Sequence, residues 1–189
     1  MKENAAGAPE IHVSEAALRA EEDQAPIGVG ANIRLAVLTI SDTRTKETDR
    51  SGRAILELAE EDGLEIAEYA ICVDDSEAIY SIVAGWLLRP EIDAVVTTGG
   101  TGIAKRDVTL EAVRPLFEKE IAGFGELFRY LSFAEDVGTK AVLSRAAAGS
   151  AKDKALFVLP GSTGAVTLAM KRIILPEIRH IVHELTKHL

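Results

Sequence analysis

A chain of 189 residues has room for one domain with a full core, and its 47% hydrophobic and 27% charged residues are ordinary globular values. A formal charge of −9 argues against a nucleic-acid partner, because a phosphate backbone demands a basic face. The lone Cys72 excludes an internal disulfide and a thiolate zinc site. No apolar run approaches a membrane span, and the start Met1-Lys2-Glu3-Asn4 lacks an apolar signal core, so a cytoplasmic protein without membrane contact is expected.

Residues 1–31 carry few large apolar side chains and are expected to form a flexible tail, with a short helix over Ser14 to Glu22, ahead of one domain over 32–189. The domain opens with a strand at Ile33 to Ile40, followed by ten polar residues from Ser41 to Arg50. A loop that polar after a central strand lies where open α/β sheets bind ligands, or is a solvated connection. Ser51 is the expected cap of a helix with apolar face Ala54, Ile55, Leu58 and Ala59, stopped by Gly63. Leu64 to Val73 reads as a second strand near the sheet edge, since Glu65 and Glu68 interrupt it. Asp74-Asp75-Ser76 marks a turn in which Asp75 or Ser76 is a candidate N-cap. The helix beyond buries Ile79, Ile82, Val83, Trp86 and Leu87.

Ile92 to Thr97 is the third expected strand, and it runs into Thr97-Thr98-Gly99-Gly100-Thr101-Gly102 and then Lys105-Arg106-Asp107. Glycines at that density let backbone N–H groups approach a ligand and form an anion-binding concavity. Two cations and a carboxylate suited to Mg²⁺ complete a site for a phosphorylated substrate. The alternative is a glycine-rich strand-to-helix turn with no ligand. The P-loop and dinucleotide patterns both fail, because Lys105 stands where the latter needs its third glycine. Strand, helix, strand, helix, strand makes a parallel sheet with right-handed crossovers. The turns carrying Asp42, Asp75 and Asp107 then open on one edge.

Leu110, Val113, Leu116 and Phe117 suggest a helix bent or ended by Pro115, and Gly123-Phe124-Gly125-Glu126 opens another holding Leu127, Phe128, Leu131 and Phe133. Ala146 to Gly149 and Lys154 to Leu159 flank Ser150-Ala151-Lys152-Asp153, a hairpin that adds an antiparallel strand. Pro160-Gly161-Ser162-Thr163 precedes a helix through Val166, Ala169, Met170 and Ile173, and Pro176 starts a final one. His180, His183 and His188 lie in that last helix without metal spacing, and the remaining His12 is in the tail. A site with no nucleophile does its chemistry by positioning and a metal.

These residues resemble the molybdenum-cofactor biosynthesis proteins of the MoaB/MogA type, also seen in the gephyrin G domain. The resemblance runs from about Ile33 to Leu185 and rests on Ser41-Asp42, Thr97 to Gly102 with Arg106-Asp107, Gly123 to Glu126, Leu143-Ser144-Arg145 and Pro160-Gly161-Ser162. It implies a three-layer α/β/α domain with a mostly parallel sheet of about five strands, one antiparallel, assembled as a homotrimer or homohexamer. It further implies transfer of AMP from Mg-ATP to the terminal phosphate of molybdopterin. Asp107 then matches the essential aspartate, and Asp75 the second acid, with Asp74 as its alternative; both would be catalytic and would hold Mg²⁺. Ser41, Asp42, Thr98, Gly99, Gly100, Thr101, Gly102, Arg106, Glu126, Ser144, Gly161 and Ser162 fall at implied substrate positions. Ala122, Thr163 and the run Phe128 to Ser132 look more like the MoaB branch. A non-catalytic molybdopterin-binding or scaffold protein is the rival reading, and a nucleotide-diphosphate hydrolase a third.

Overall fold

A computed structural model of the chain describes residues 32–189; the tail and the helix expected over Ser14 to Glu22 lie outside the described residues. Six strands form one open sheet: β1 (Arg34–Ile40), β2 (Glu65–Cys72), β3 (Ala94–Thr98), β4 (Lys119–Glu120), β5 (Ala147–Ala151) and β6 (Lys154–Leu159), in the spatial order β2-β1-β3-β6-β5-β4. β2, β1, β3 and β6 are mutually parallel, β5 runs against β6, and β4 against β5. The sequence lacks any signal for β4, whose two residues are too short to show a period.

Alternation along the strands divides the core in two. Leu35, Val37, Val96 and Phe157 point to one face, Ala36, Leu38, Val95 and Leu156 to the other, all essentially inaccessible. The first face is covered by α1 (Arg50–Glu61), α4 (Ala122–Leu131), α5 (Thr163–Ala169) and α6 (Leu175–Thr186), the second by α2 (Ser76–Leu87) and α3 (Thr109–Val113). This is the three-layer architecture expected from the sequence. Phe124 and Phe128 on α4 stack at 6.3 Å, and Phe124 tilts against Phe157 of β6 at 5.5 Å, fixing α4 to the sheet.

Several boundaries differ from expectation. Asp49, not Ser51, caps α1: its Oδ1 accepts from the Gly52 N–H at 3.0 Å, while Ser51 is already inside the helix. α3 is a single turn that tightens into a 3₁₀ turn over Arg114–Leu116, where Pro115 is tolerated. α5 and α6 form one continuous run joined by a π turn at Met170–Ile174, with the Leu175 N–H donating to the Met170 carbonyl. Pro176 sits just after that turn, where the helical ladder is already interrupted, so it starts α6 without breaking the run. Cys72 is half-buried against the second face, and burial pushes its thiol up to about 11, as expected of a packed residue.

The β5–β6 hairpin turns on Lys152 and Asp153, with φ of 52° and 59°. Two consecutive left-handed residues are the geometry of a type I′ turn, which Asn-Gly satisfies without steric cost. The double substitution K152N/D153G is expected to raise unfolding stability by about 1 kcal/mol, read as a higher urea midpoint at unchanged slope.

Candidate functional site

The parallel strands end on one edge, and every loop there except that of β2 opens from a buried strand end. β1 hands its chain toward β2 on one side, while β3 leads to β6 on the other. The crevice between β1 and β3 is therefore the switch point at which open α/β sheets bind ligands. Beside it lies a cavity of about 430 Å³, within the range usual for small-molecule sites. Its walls are Gly99 to Gly102 and Asp107 from the β3 loop, Pro160 to Ser162 from the β6 loop, Phe128 of α4 and the segment Ser132 to Ser144.

The glycine loop takes its shape from what lies over it. Gly100 has φ +60°, and a Cβ there would stand 2.3 Å from Thr109 Oγ1 and 2.7 Å from Asp74 Oδ1. Asp74 Oδ1 also accepts from the Val108 N–H at 3.4 Å. A Cβ on Gly102 would meet Asp107 Oδ2 at 2.5 Å, and that oxygen accepts from the Ala104 N–H at 3.0 Å. Both carboxylates thus fold onto bare backbone. Burial raises the pKa of Asp74, and the nearby charges of Asp107 and Asp42 raise it further despite the Val108 bond. No group of three or more His, Cys, Asp or Glu side chains converges on one metal position among the described residues. The residues present, Asp74 against Gly100 and Asp107 against Gly102, are of the hard oxygen type that suits Mg²⁺, which binds through one or two carboxylates and takes its other ligands from substrate phosphates and water.

Of the residues singled out from sequence, Gly99, Gly100, Thr101, Gly102, Asp107, Ser144, Gly161 and Ser162 do line the cavity. Others do not. Asp75 is exposed and caps α2, its Oδ1 accepting from the Ala78 N–H at 2.9 Å, so Asp74 is the acid brought to the glycine loop. Arg106 turns outward to Asp42 at 2.6 Å, and Asp42 Oδ1 accepts from the Asp74 N–H at 3.0 Å. Ser41 shapes its own loop by accepting from the N–H groups of Thr43 and Arg44. Thr98 is buried beneath the site, donating to the Pro160 carbonyl at 2.9 Å. Glu126 is exposed on α4, outside the cavity, because the helical period that buries Phe124, Phe128 and Leu131 turns it to solvent.

Sequence reasoning missed Ser132, Asp136 and Lys140, which come from the irregular π and 3₁₀ turns after α4. Arg145 is held at the Leu143-Ser144-Arg145 stretch: Nη1 donates to the Gly102 carbonyl at 2.9 Å and Nη2 pairs with Glu111. The cavity lining is accordingly mixed: Asp107 and the glycine-loop backbone from the β3 loop, apolar Phe128, Val137, Ala141 and Leu143, and polar Ser132, Asp136, Lys140 and Ser144 among them.

Residues 36–180 match a family model described as "probable molybdopterin binding domain". The "molybdenum cofactor biosynthesis protein B" of Staphylococcus carnosus (strain TM300) is 58% identical over 158 residues, covering 82% of this chain and 92% of that protein. A crystal structure of a molybdenum cofactor biosynthesis protein B superposes with a TM-score of 0.81 at 51% identity, covering 83% of this chain and 98% of the other. The tungsten cofactor synthesizing protein MoaB from Pyrococcus furiosus superposes with a TM-score of 0.72 at 38% identity, over 82% and 97% of the two chains.

Gly100→Ala tests the packing of the glycine loop. It is expected to cost at least about 1 kcal/mol for the left-handed backbone alone, seen as a lower thermal midpoint.

Proposed function

The chain belongs to the molybdopterin-binding domain family of the molybdenum cofactor biosynthesis proteins, and we propose that it transfers AMP from Mg-ATP to molybdopterin in the cytoplasm. A terminal phosphate oxygen of molybdopterin attacks the α-phosphorus of ATP. The bond from that phosphorus to the bridging oxygen breaks, pyrophosphate leaves, and the product is adenylylated molybdopterin. The phosphate is itself the nucleophile, so the site has no need of a Cys or His.

The observation that carries this reading is the placing of Asp74 against Gly100 and of Asp107 against Gly102, on a glycine loop that walls the cavity. Asp74 and Asp107 would hold Mg²⁺, which supplies charge neutralisation for the triphosphate. The Gly99 N–H is spent on the Leu159 carbonyl at 3.1 Å, so the backbone N–H groups of Gly100 to Gly102 would meet phosphate oxygens as charge moves during transfer. Ser144 and Ser162 offer hydroxyls to a polar heterocycle, and Phe128 and Leu143 give it an apolar floor. A second reading, a protein that holds molybdopterin without reacting it, is favoured by one feature: Arg106 is tied to Asp42 and does not face the cavity.

The test is incubation with molybdopterin, ATP and Mg²⁺, scoring adenylylated pterin and pyrophosphate. Asp107→Asn and Asp74→Asn are each expected to cut turnover by roughly 10²-fold, as loss of one preorganised electrostatic group does. Asp75→Asn is expected to be almost silent, because Asn caps as well as Asp. Product formation that ignores the first two changes removes the metal-site reading, and a wild type that binds pterin without product leaves the holding role.

We further propose a trimer or a dimer of trimers. Tyr130, Phe133 and Val142 are each about half exposed or more and line one open groove beyond the cavity, an apolar surface suited to a second copy. Light scattering at micromolar concentration is expected to give a multiple of three chains; a monomer refutes this assembly.

A further inference from the structure

Asp49 does more than cap a helix. It is 1% exposed, yet it accepts four hydrogen bonds: from Gly52 N at 3.0 Å, Ser51 Oγ at 3.0 Å, Tyr69 OH at 2.8 Å and Arg44 Nη1 at 3.3 Å. Burial raises its pKa, but the Thr39 hydroxyl beside it, the Gly52 amide, Tyr69 and Ser51 more than offset this and hold it below the usual carboxylate range. It is therefore a fixed negative charge inside the first face of the sheet. The same environment pushes the Tyr69 hydroxyl up to about 12.

That charge orients one cation. Arg44 comes from the polar loop after β1, and Ser41 Oγ holds its backbone N–H at 3.2 Å. Its guanidinium spends Nη1 on Asp49 and Ser51, which leaves Nη2 to donate to the carbonyl of Gly161 at 3.2 Å. Gly161 in turn lies flush on the glycine loop: a Cβ on it would stand 3.1 Å from Gly99 Cα. Thr98 grips the neighbouring Pro160 carbonyl from below. The β6 loop is thus held at two successive carbonyls, once from the sheet and once from Arg44.

We propose that Arg44, clamped by the buried Asp49, is a positioning residue that sets the Pro160-Gly161-Ser162 wall of the cavity against the glycine loop. It touches no cavity space itself. The claim rests on the reading that this cavity takes the pterin, and it predicts an effect on pterin binding more than on the transfer step. The planar fork is required, because it bonds two partners in fixed relative directions, while a lysine ammonium offers a single point charge.

The experiment compares the full chain with Arg44→Met and Arg44→Lys. Arg44→Met keeps most of the stem and removes the fork; Arg44→Lys keeps a charge beside Asp49 and so guards against misreading a loss of stability. Amide hydrogen exchange is followed over residues 159–166, with α2 as the internal reference, alongside thermal melts and pterin-dependent initial rates at saturating Mg-ATP. Expected in both variants is exchange about tenfold faster over 159–166, the scale of one lost charge-assisted hydrogen bond, with α2 unchanged. Expected in turnover is a KM for molybdopterin raised about tenfold with kcat nearly kept.

Unchanged exchange over 159–166 in Arg44→Lys overturns the proposal, whatever the turnover shows. Faster exchange over 159–166 and α2 alike in Arg44→Lys overturns it too, because the pair would then be a general support. Selective loosening in a protein whose wild type makes no adenylylated pterin supports the positioning role and removes the adenylyl-transfer reading alone. Selective loosening with kcat lost and KM unmoved overturns the assignment to the pterin wall.

Discussion

Gly99 has room for a hydrogen and for nothing else. With φ of +102°, a β-carbon there would lie 2.2 Å from the Ile40 carbonyl oxygen, at the end of the neighbouring strand. That contact exists because β1 and β3 pair in parallel, with Thr39 opposite Thr98, so their chains leave the sheet side by side. Everything in the site follows from this crowding. The β3 loop must turn back over the sheet edge, and Gly100 and Gly102 must stay bare for Asp74 and Asp107 to settle on them. Gly161 closes the other side by packing on Gly99. The β1–β3 pairing thus leaves room only for glycine where the β3 loop begins.

The electrostatics divide along the same line. The exposed Asp42–Arg106 pair at the rim is screened by water and contributes little to stability. Asp49, inside the first face, is a buried charge whose removal would strand its partners. Asp74, over the glycine loop, sits between these extremes: burial and the charges of Asp107 and Asp42 disfavour its ionisation, yet it is only partly enclosed. A chain that is acidic overall can still present a positive field at such a place, from the backbone N–H groups of its glycine loop and not from its side chains.

Much of this is legible in the sequence, for definite reasons. Five of the six strands follow from apolar runs bounded by turn residues, and the glycine loop from its composition. The Lys152-Asp153 turn follows from its place between two apolar runs, although neither residue is a type I′ favourite. What escapes is what has no period. Ser132, Asp136 and Lys140 enter the cavity from π and 3₁₀ turns, where spacing says nothing about direction. Asp74 and Asp75 are chemically identical neighbours, and only the extended backbone at Asp75, which starts α2, separates the cap from the carboxylate that lies on the glycine loop. Glu126 faces solvent because Phe124, Phe128 and Leu131 define the buried side of its helix, a direction the helical period already shows in the sequence.

The two ends of the sheet bear on how the molecule behaves in a crowded cell. β2 forms one end and carries Glu65 and Glu68; β4 forms the other and is only Lys119-Glu120. An open sheet offers a row of free peptide groups at each end, onto which another chain can add strands without limit. Charged side chains at one end and a strand of minimal length at the other deny that growth. Copies of this chain are thereby steered to meet through side-chain surfaces, where a rotation can close on itself, and away from the endless ribbon its own backbone would otherwise permit.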